Sequence, residues 1–478
     1  MDAHSDRNAI PLVVDLDGTL IATDLLWEGL FLLVRRNLLH LFLIPYWIAV
    51  GGPCRLKNEI AARVTIDAEM LPYRPELMAR LREEKANGRR IVLATGTPAK
   101  FAQAIADHLG VFEAVFCTDE ANNLTSRRKG SLLVKTYGDG GFDYAGNSRH
   151  DVAVFDVARQ AIVVAPDRSA ARWQKAHGGE LFPSRKPNWK TILRMLRVHQ
   201  WLKNTLIVVP TILNHQYLNP ALLFACFLAF VSFSAAASAI YIVNDFFDAS
   251  LDRRHPTKKN RPFASGLLSV PFGLGVSACL VVLSFAIAAF LSPLFMLVLA
   301  GYLLMTTAYS VAIKRMLLID VFTLATLYTM RILAGAAVTQ IPVSFWLLAF
   351  SIFFFLSLAL VKRYVELDGT EIERGVRIAG RGYRMEDRDI IAQGGVAAAF
   401  GSAMVLALYI DGNSVRQLYE YPWMIWPLAP AVLYITLRIW VLARRSEMHD
   451  DPVVFIISDW RSQIVILIGA ILLAIAGL

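Results

Sequence analysis

From Trp201 to Leu478 the chain runs almost without pause through long apolar segments, and this stretch constrains its folding more than any other feature. Lipid offers no partner to an unpaired backbone amide, so such segments cross a bilayer as helices of about 20 residues. Candidate spans fall at 203–218, 222–243, 271–290, 294–312, 318–338, 343–361, 393–411, 424–442 and 461–478, the first and last being short. Basic residues sort between alternate loops. One set carries Arg253, Arg254, Lys258, Lys259 and Arg261, then Lys314 and Arg315, then Lys362, Arg363, Arg374, Arg377, Arg381, Arg384 and Arg388, then Arg444 and Arg445. The other set turns at Pro293 and Gln340 and holds only Arg416. Positive-inside bias puts the basic loops and the N-terminal half on the cytosolic side of a bacterial-type plasma membrane.

Residues up to about 185 follow a different grammar. PLVVDLDGT, RRIVLATGT, FEAVFCTDE, VAVFDVA and AIVVAP are strand-length apolar runs that end at polar residues, with helical stretches such as PELMARLREEKANG between them. This rhythm predicts a parallel sheet flanked by helices, with a ligand site at the carboxyl ends of the strands. LWEGLFLLVRRNLLHLFLIPYWIAVGG is strongly apolar but broken by Arg35, Arg36 and Pro45. It is expected as a helical cap within about 24–90, resting on the membrane or on the second half, in preference to a spanning helix. The linker FPSRKPNWK divides the chain into 1–185 and 186–478.

Composition narrows the function classes. A chain that is 56% hydrophobic is not wholly soluble, and its net charge of +9 follows membrane topology. No helix face interleaves these charges with aromatics, which excludes nucleic acid as a partner. Cys54, Cys117, Cys226 and Cys279 have no ligand-like spacing, so neither disulfides nor zinc are expected. The N-terminus lacks an apolar core behind a basic start, and no cleaved signal peptide is expected. Nothing in the sequence sets the oligomeric state.

Three loops carry chemistry. Asn244, Asp245, Asp248 and Asp252 fit N-D-x-x-D-x-x-x-D, a spacing that brings three carboxylates and an amide to one helix face. Crowded carboxylates at a membrane interface call for a hard divalent cation, Mg²⁺, which commonly also binds substrate phosphates. Lys258, Lys259 and Arg261 follow at once and suit phosphate oxygens. In a second cluster Tyr309, Lys314, Asp320 and Arg331 stand in or beside apolar spans, where ionisable groups are functional candidates by default. Asp320 is expected to add a metal ligand or orient Lys314, with a structural Asp320–Arg331 pair as the alternative. In a third, Lys362, Arg363, Glu366, Arg381, Tyr383 and Arg384 are expected to line the mouth of the bundle, where arginine forks suit phosphate.

With these motifs in view, residues from about 194 to 478 resemble the UbiA superfamily of intramembrane prenyltransferases. The resemblance implies an all-α transmembrane bundle of about nine helices. LRVHQWLKN, NDFFDASLDRRHPTKKNRPFASG, YSVAIKRMLLIDV, KRYVEL and RRSEMHDDPVVFIISD look most like the decaprenyl-phosphate phosphoribosyltransferases within it. That likeness implies transfer of phosphoribose from phosphoribosyl diphosphate to a polyprenyl phosphate. Asp245, Asp248 and Asp252 would hold Mg²⁺ on the departing diphosphate, and Lys203, Lys314, Arg331 and the 362–384 loop would seat the lipid phosphate. A prenyltransferase moving a polyprenyl group from its diphosphate to an aromatic or other small acceptor is the alternative enzyme. A lipid-phosphate carrier or scaffold is the alternative outside the transferases.

The first half resembles the haloacid dehalogenase-like hydrolases, which implies a Rossmann-like α/β domain. Asp15-Leu16-Asp17-Gly18-Thr19 matches the first motif, Thr95 in LATGT the second, Lys129 the third, and Gly146, Asn147, Ser148 and Asp151 the fourth. By resemblance Asp15 is the nucleophile and Asp17 the general acid and base, Thr95 and Lys129 hold the phosphoryl group, and Asp15 and Asp151 bind Mg²⁺. Asn147 stands where the family commonly has Asp, which puts activity in question. The joined halves suggest that this domain removes the 5-phosphate from the transferase product.

Overall fold

Strand β1, Leu12–Val14, is three fully buried aliphatic residues, a run that only the centre of a sheet covers on both faces. A computed structural model of the chain describes residues 10–118, 124–184, 186–368, 381–412, 415, 419–448 and 451–477, so Arg374, Arg377 and Arg416 lie outside the described residues. The chain divides into two compact units. One is Met1–Met195 with Ile242–Gly275, and the other is Leu196–Tyr241 with Val276–Leu478.

In the first unit β1 is followed by α1 (Leu25–Arg36), α2 (His40–Arg63), α3 (Pro75–Ala86), β2 (Ile91–Pro98), α4 (Ala99–Leu109) and β3 (Ala114–Thr118). Then come α5 (Arg127–Tyr137), β4 (Asp143–Gly146), the short α6 (Val152–Phe155), β5 (Gln160–Val164), α7 (Arg168–His177), β6 (Glu180–Phe182) and α8 (Trp189–Leu196). The six strands lie in the order β3-β2-β1-β4-β5-β6, every pairing parallel. Strand order reverses between β1 and β4, where Leu12 pairs with both Ile91 and Asp143, and such a reversal opens a crevice at the strand ends. The run VAVF, read as a strand, is instead helix α6. Four apolar residues carry no periodicity to decide between the two, and here Val154 and Phe155 alone turn fully into the core.

The expected cap is helices α1 and α2, inserted between β1 and β2. Asp24 caps α1 by accepting from the Leu26 N–H, and α2 kinks at Gly52 ahead of Pro53. Leu33, Trp47, Leu56 and Ile60 of the cap pack into one core with Phe101 and Ile105 of α4.

In the second unit the expected span 203–218 does not form. Residues Val198–Val208 make a 3₁₀ segment and Val209–Leu213 a five-residue helix, α9, interrupted by Pro210. A methyl group at Gly335 would meet the Ile207 carbonyl oxygen at 2.0 Å, so this segment lies directly on a long helix that a side chain would hold away. The long helices are α10 (Pro220–Arg254), α11 (Val270–Leu291), α12 (Pro293–Val311), α13 (Ile319–Thr339), α14 (Phe345–Asp368), α15 (Arg388–Asp411) and α16 (Leu428–Arg444). Among the described residues these seven, with α15 extended to Met385–Asp411 and α16 to Pro422–Arg444, are long and apolar enough to cross a membrane. The final pair, α17 (Pro452–Ser458) and α18 (Trp460–Ala476), is bent by 76° at Asp459 and gives an eighth if it acts as one span. The chain is an integral membrane protein.

Asp320 and Arg331 correct the sequence reading. Asp320 is fully buried and binds Arg363 Nη2 at 2.5 Å, with the Tyr383 hydroxyl on its other oxygen and Arg363 also on Glu366. It therefore neither pairs with Arg331 nor offers oxygens to a metal, and Arg363 and Tyr383 are interior struts in place of mouth residues. Arg331 is spent on Asn204 Oδ1 (2.8 Å), the Leu327 carbonyl (2.5 Å) and the Tyr302 hydroxyl (3.3 Å). Removing one partner of a buried ion pair leaves an uncompensated charge. Asp320→Ala is therefore expected to cost about 3–5 kcal/mol, and Tyr383→Phe about 1 kcal/mol, read as the denaturation midpoint of detergent-solubilised protein.

Candidate functional site

In the first unit, β1 delivers Asp15 to the crevice beside β4, whose end carries Asn147. Asp15 Oδ1 accepts from Lys129 Nζ at 2.7 Å, and Thr19 Oγ1 lies 3.1 Å from Asp15 Oδ2. Lys129, from α5, also reaches Asp151 Oδ1 (3.5 Å) and the Tyr144 hydroxyl (2.9 Å), which donates to Asp151 at 2.6 Å. The backbone N–H groups of Asn147 and Ser148 donate to Asp151 Oδ2. Asp17 accepts from the Leu25 N–H at 2.8 Å and from Thr97 Oγ1 at 2.5 Å. The structure thus brings together Asp15, Asp17, Lys129, Asn147 and Asp151. Thr95 is fully buried and accepts from the Thr97 N–H, while Thr97 is the threonine of β2 that bonds Asp17.

Electrostatics separates the two motif-one carboxyls. Burial pushes the Asp15 carboxyl up to about 7, with Asp151 and Asp17 adding to the rise and Lys129 opposing it. Burial also pushes Asp17 up to about 6, with Asp24 adding and the bonds from Thr97 and Leu25 opposing. Asp151 is buried too, but Lys129, the Tyr144 hydroxyl and the two backbone N–H groups outweigh that and hold it below the usual carboxylate range. The buried Asp15 and Asp151 therefore share the Lys129 ammonium, and the partly buried Asp17 feels Lys57. Hard oxygen donors in excess of positive charge suit Mg²⁺, and Asp15 and Asp151 are the residues that would hold it.

The Asp-rich segment belongs to the same unit and forms the last turns of α10. Asp245 and Asp252 are both buried and share one guanidinium, Arg261 Nη1, at 3.3 and 2.7 Å. Asp248 instead accepts from the Asn244 amide at 2.9 Å. Asp245, Asp248 and Asp252 thus fall within two turns at the end of one helix, and among the described residues no three acidic, His or Cys side chains form a ready metal cage. Asp245 and Asp252 are the pair whose donor set fits a divalent cation. Lys258 and Lys259 are exposed in a 3₁₀ turn just beyond.

Arg253 leaves this segment and reaches the cap. Its Nη1 donates to Glu28 Oε2 at 3.2 Å and its Nη2 bonds the other Glu28 oxygen, while its Nε donates to the Ala264 carbonyl at 2.8 Å. Phe246 stacks on Phe31 of α1 at 5.2 Å and meets Phe263 edge-on at 4.4 Å. Gly266, at φ +70°, approaches the Ala22 carbonyl so closely that a methyl group would sit 2.5 Å from its oxygen. These contacts border an open cavity of about 1490 Å³. Asp15, Asp17, Lys129 and Asp151 line one part of it, and Phe31, Phe101, Phe246, Phe263, Leu267 and Phe272 line another.

In the second unit Lys203 Nζ lies 2.5 Å and Lys362 Nζ 3.3 Å from Asp451 Oδ2, and the Tyr328 hydroxyl donates to Asp451 Oδ1 at 3.2 Å. Asp451 was not singled out by sequence, although it lies in the terminal string RRSEMHDDPVVFIISD. Arg381 Nη1 bonds the Tyr309 hydroxyl at 3.3 Å, Arg384 is exposed, and Lys314 sits in a 3₁₀ turn, Ile313–Arg315.

Residues 205–460 match the UbiA prenyltransferase family, and residues 12–155 match haloacid dehalogenase-like hydrolase. An uncharacterized Sinorhizobium fredii protein is 36% identical over 96% of this chain and 89% of its own length. A decaprenyl-phosphate phosphoribosyltransferase of Mycobacterium tuberculosis is 36% identical over 37% of this chain and 60% of its own. The solved structure of a UbiA homolog from Archaeoglobus fulgidus bound to GPP and Mg²⁺ aligns with 60% of this chain and 98% of its own, at 16% identity and a TM-score of 0.46.

The bond from Thr97 lowers the Asp17 pKa, so removing it raises that pKa further. A phosphatase that needs protonated Asp17 loses rate as pH rises through about 6. Thr97→Val is expected to move that falling limb to higher pH, measured as kcat against pH on a soluble phosphomonoester.

Proposed function

Because this chain belongs to the UbiA prenyltransferase family and carries an N-terminal haloacid dehalogenase-like hydrolase domain, we propose that it makes and then trims a lipid-linked sugar phosphate. In the first reaction an oxygen of a polyprenyl phosphate forms a bond to the anomeric carbon of phosphoribosyl diphosphate. The bond from that carbon to the diphosphate oxygen breaks, and diphosphate leaves with the electron pair. The lipid phosphate is already anionic, so the step needs charge stabilisation and positioning more than a general base. Mg²⁺ held by Asp245 and Asp252 would supply charge stabilisation on the leaving group. Lys362, the more open of the two lysines on Asp451, is the candidate seat for the lipid phosphate, with Lys203 behind it. Support for a sugar diphosphate over a prenyl diphosphate comes from HPTKKNRP and from the phosphoribosyltransferase relative.

In the second reaction Asp15 attacks the 5-phosphate phosphorus, and the bond from phosphorus to the sugar oxygen breaks. Asp17 gives that oxygen its proton, then takes one from the water that releases phosphate from Asp15. The single observation that carries this half is the cavity of about 1490 Å³, with carboxylates along one part and the aromatic wall of the Asp-rich segment along another. An amphipathic phosphomonoester suits such a lining better than a small free sugar phosphate does. The basic loops support a cytosolic position for both sites.

The test is to supply labelled phosphoribosyl diphosphate and polyprenyl phosphate to the purified chain with Mg²⁺. A labelled lipid is expected, and Asp245→Ala is expected to reduce it by about 10²-fold or more. Turnover of a prenyl diphosphate with no labelled lipid overturns the transfer reading. Asp15→Asn is expected to leave transfer intact and to accumulate lipid that still carries the 5-phosphate. Identical products from wild type and Asp15→Asn overturn the trimming step.

A further inference from the structure

The cap contains an apolar surface that neither proposed reaction uses. Between Asn37 and Cys54 there is no Asp, Glu, Lys or Arg, while Arg35, Arg36 and Arg55 flank the stretch. Asn37 makes the turn out of α1 by accepting from the Leu39 N–H at 2.9 Å, and α2 then runs from His40 to the kink at Gly52. Apart from Trp47 and the half-buried Ile44, its side chains do not fold back into the core. Leu39 is 66% exposed and Phe42 77%, and Leu41, Tyr46, Ile48 and Val50 are each about half exposed with the whole chain present.

The pattern around the helix says what covers it. At 3.6 residues per turn, Leu41, Phe42, Leu43, Tyr46, Ile48 and Val50 point to almost every side, and Trp47 is the one buried residue of this arm. A protein partner or a second copy covers one stripe of a helix. A helix apolar nearly all round needs a surrounding solvent that is itself apolar. The arm from His40 to Gly51 has twelve residues, or about 18 Å, short of the ~30 Å hydrocarbon core, so it enters one leaflet without crossing.

Its position fits that medium. Immediately before the turn, Arg35 Nη1 donates to the Phe247 carbonyl at 3.3 Å, and Phe31 packs on both Phe246 and Phe247. Phe246 and Phe247 lie three residues and four residues beyond Val243, where the apolar run of membrane helix α10 gives way to its polar end. The arm therefore emerges beside the point where α10 leaves lipid. We propose that Leu38–Val50 is a helical arm embedded in the same leaflet, with Arg35, Arg36 and Arg55 at the headgroup level. It anchors the phosphatase cap to the bilayer independently of the spans.

The test uses the full chain in lipid nanodiscs, with its four free cysteines replaced and one cysteine introduced at a time for an environment-sensitive fluorophore. At Phe42→Cys, doxyl-labelled lipids are expected to quench most of the emission, and iodide is expected to quench several-fold less than at Thr136→Cys on exposed α5. Strong iodide quenching at Phe42→Cys overturns the proposal by placing the arm in water. Protection from both quenchers also overturns it, because the arm is then covered by protein.

Discussion

Arg253 and Glu28 form the clasp on which the first unit depends. Their side chains are only 8% and 11% exposed, so each charge has lost most of its water and relies on the other. Glu28 lies one turn into the cap helix, held further by Thr23, and Arg253 lies at the end of the membrane helix α10. Either charge alone would be costly to bury, which makes the contact strongly selective for this one arrangement even if its net contribution to stability is modest. Around it the Phe31–Phe246 stack and the close approach of Gly266 to Ala22 add shape to charge.

The sheet order explains why the hydrolase candidates meet. β1 and β4 are neighbours across the reversal, so residues more than a hundred positions apart, Asp15 and Asn147, end on adjacent strands. Helix α5 then brings Lys129 between Asp15 and Asp151. The bundle works differently. Each long helix closes its own backbone hydrogen bonds, and polar side chains must find partners within the unit, as Arg363 does with Asp320 and Arg331 with Asn204.

The architecture was legible in the sequence because its two periodicities are long and unmistakable. Strand-length runs ending in Asp or Gly marked the sheet, and spans near twenty residues marked the bundle. The hydrolase centre was legible because its motifs fall at strand ends. What sequence did not resolve were partners set by tertiary contact. An i, i+11 spacing placed Arg331 on the face of Asp320, but a fully buried carboxylate took its cation from another helix. Arg363 and Tyr383 read as phosphate ligands because a basic loop looks alike whether its arginines face solvent or a buried aspartate. VAVF was too short for its periodicity to speak, and Thr97 stood two residues from the motif threonine with no pattern of its own.

The membership of Ile242–Gly275 in the first unit has a consequence for modularity. A linker at 182–190 looks like the seam between two beads on a string, a place where a gene fusion joined parts that can still be separated. The structure gives the α/β half a wall made from the other half's sequence, since Phe246, Phe263 and the turn at Gly266 complete its cavity. Cutting at the linker removes that wall and bares the aromatic faces behind it. The first half therefore depends for its cavity on residues that lie in the second half's sequence.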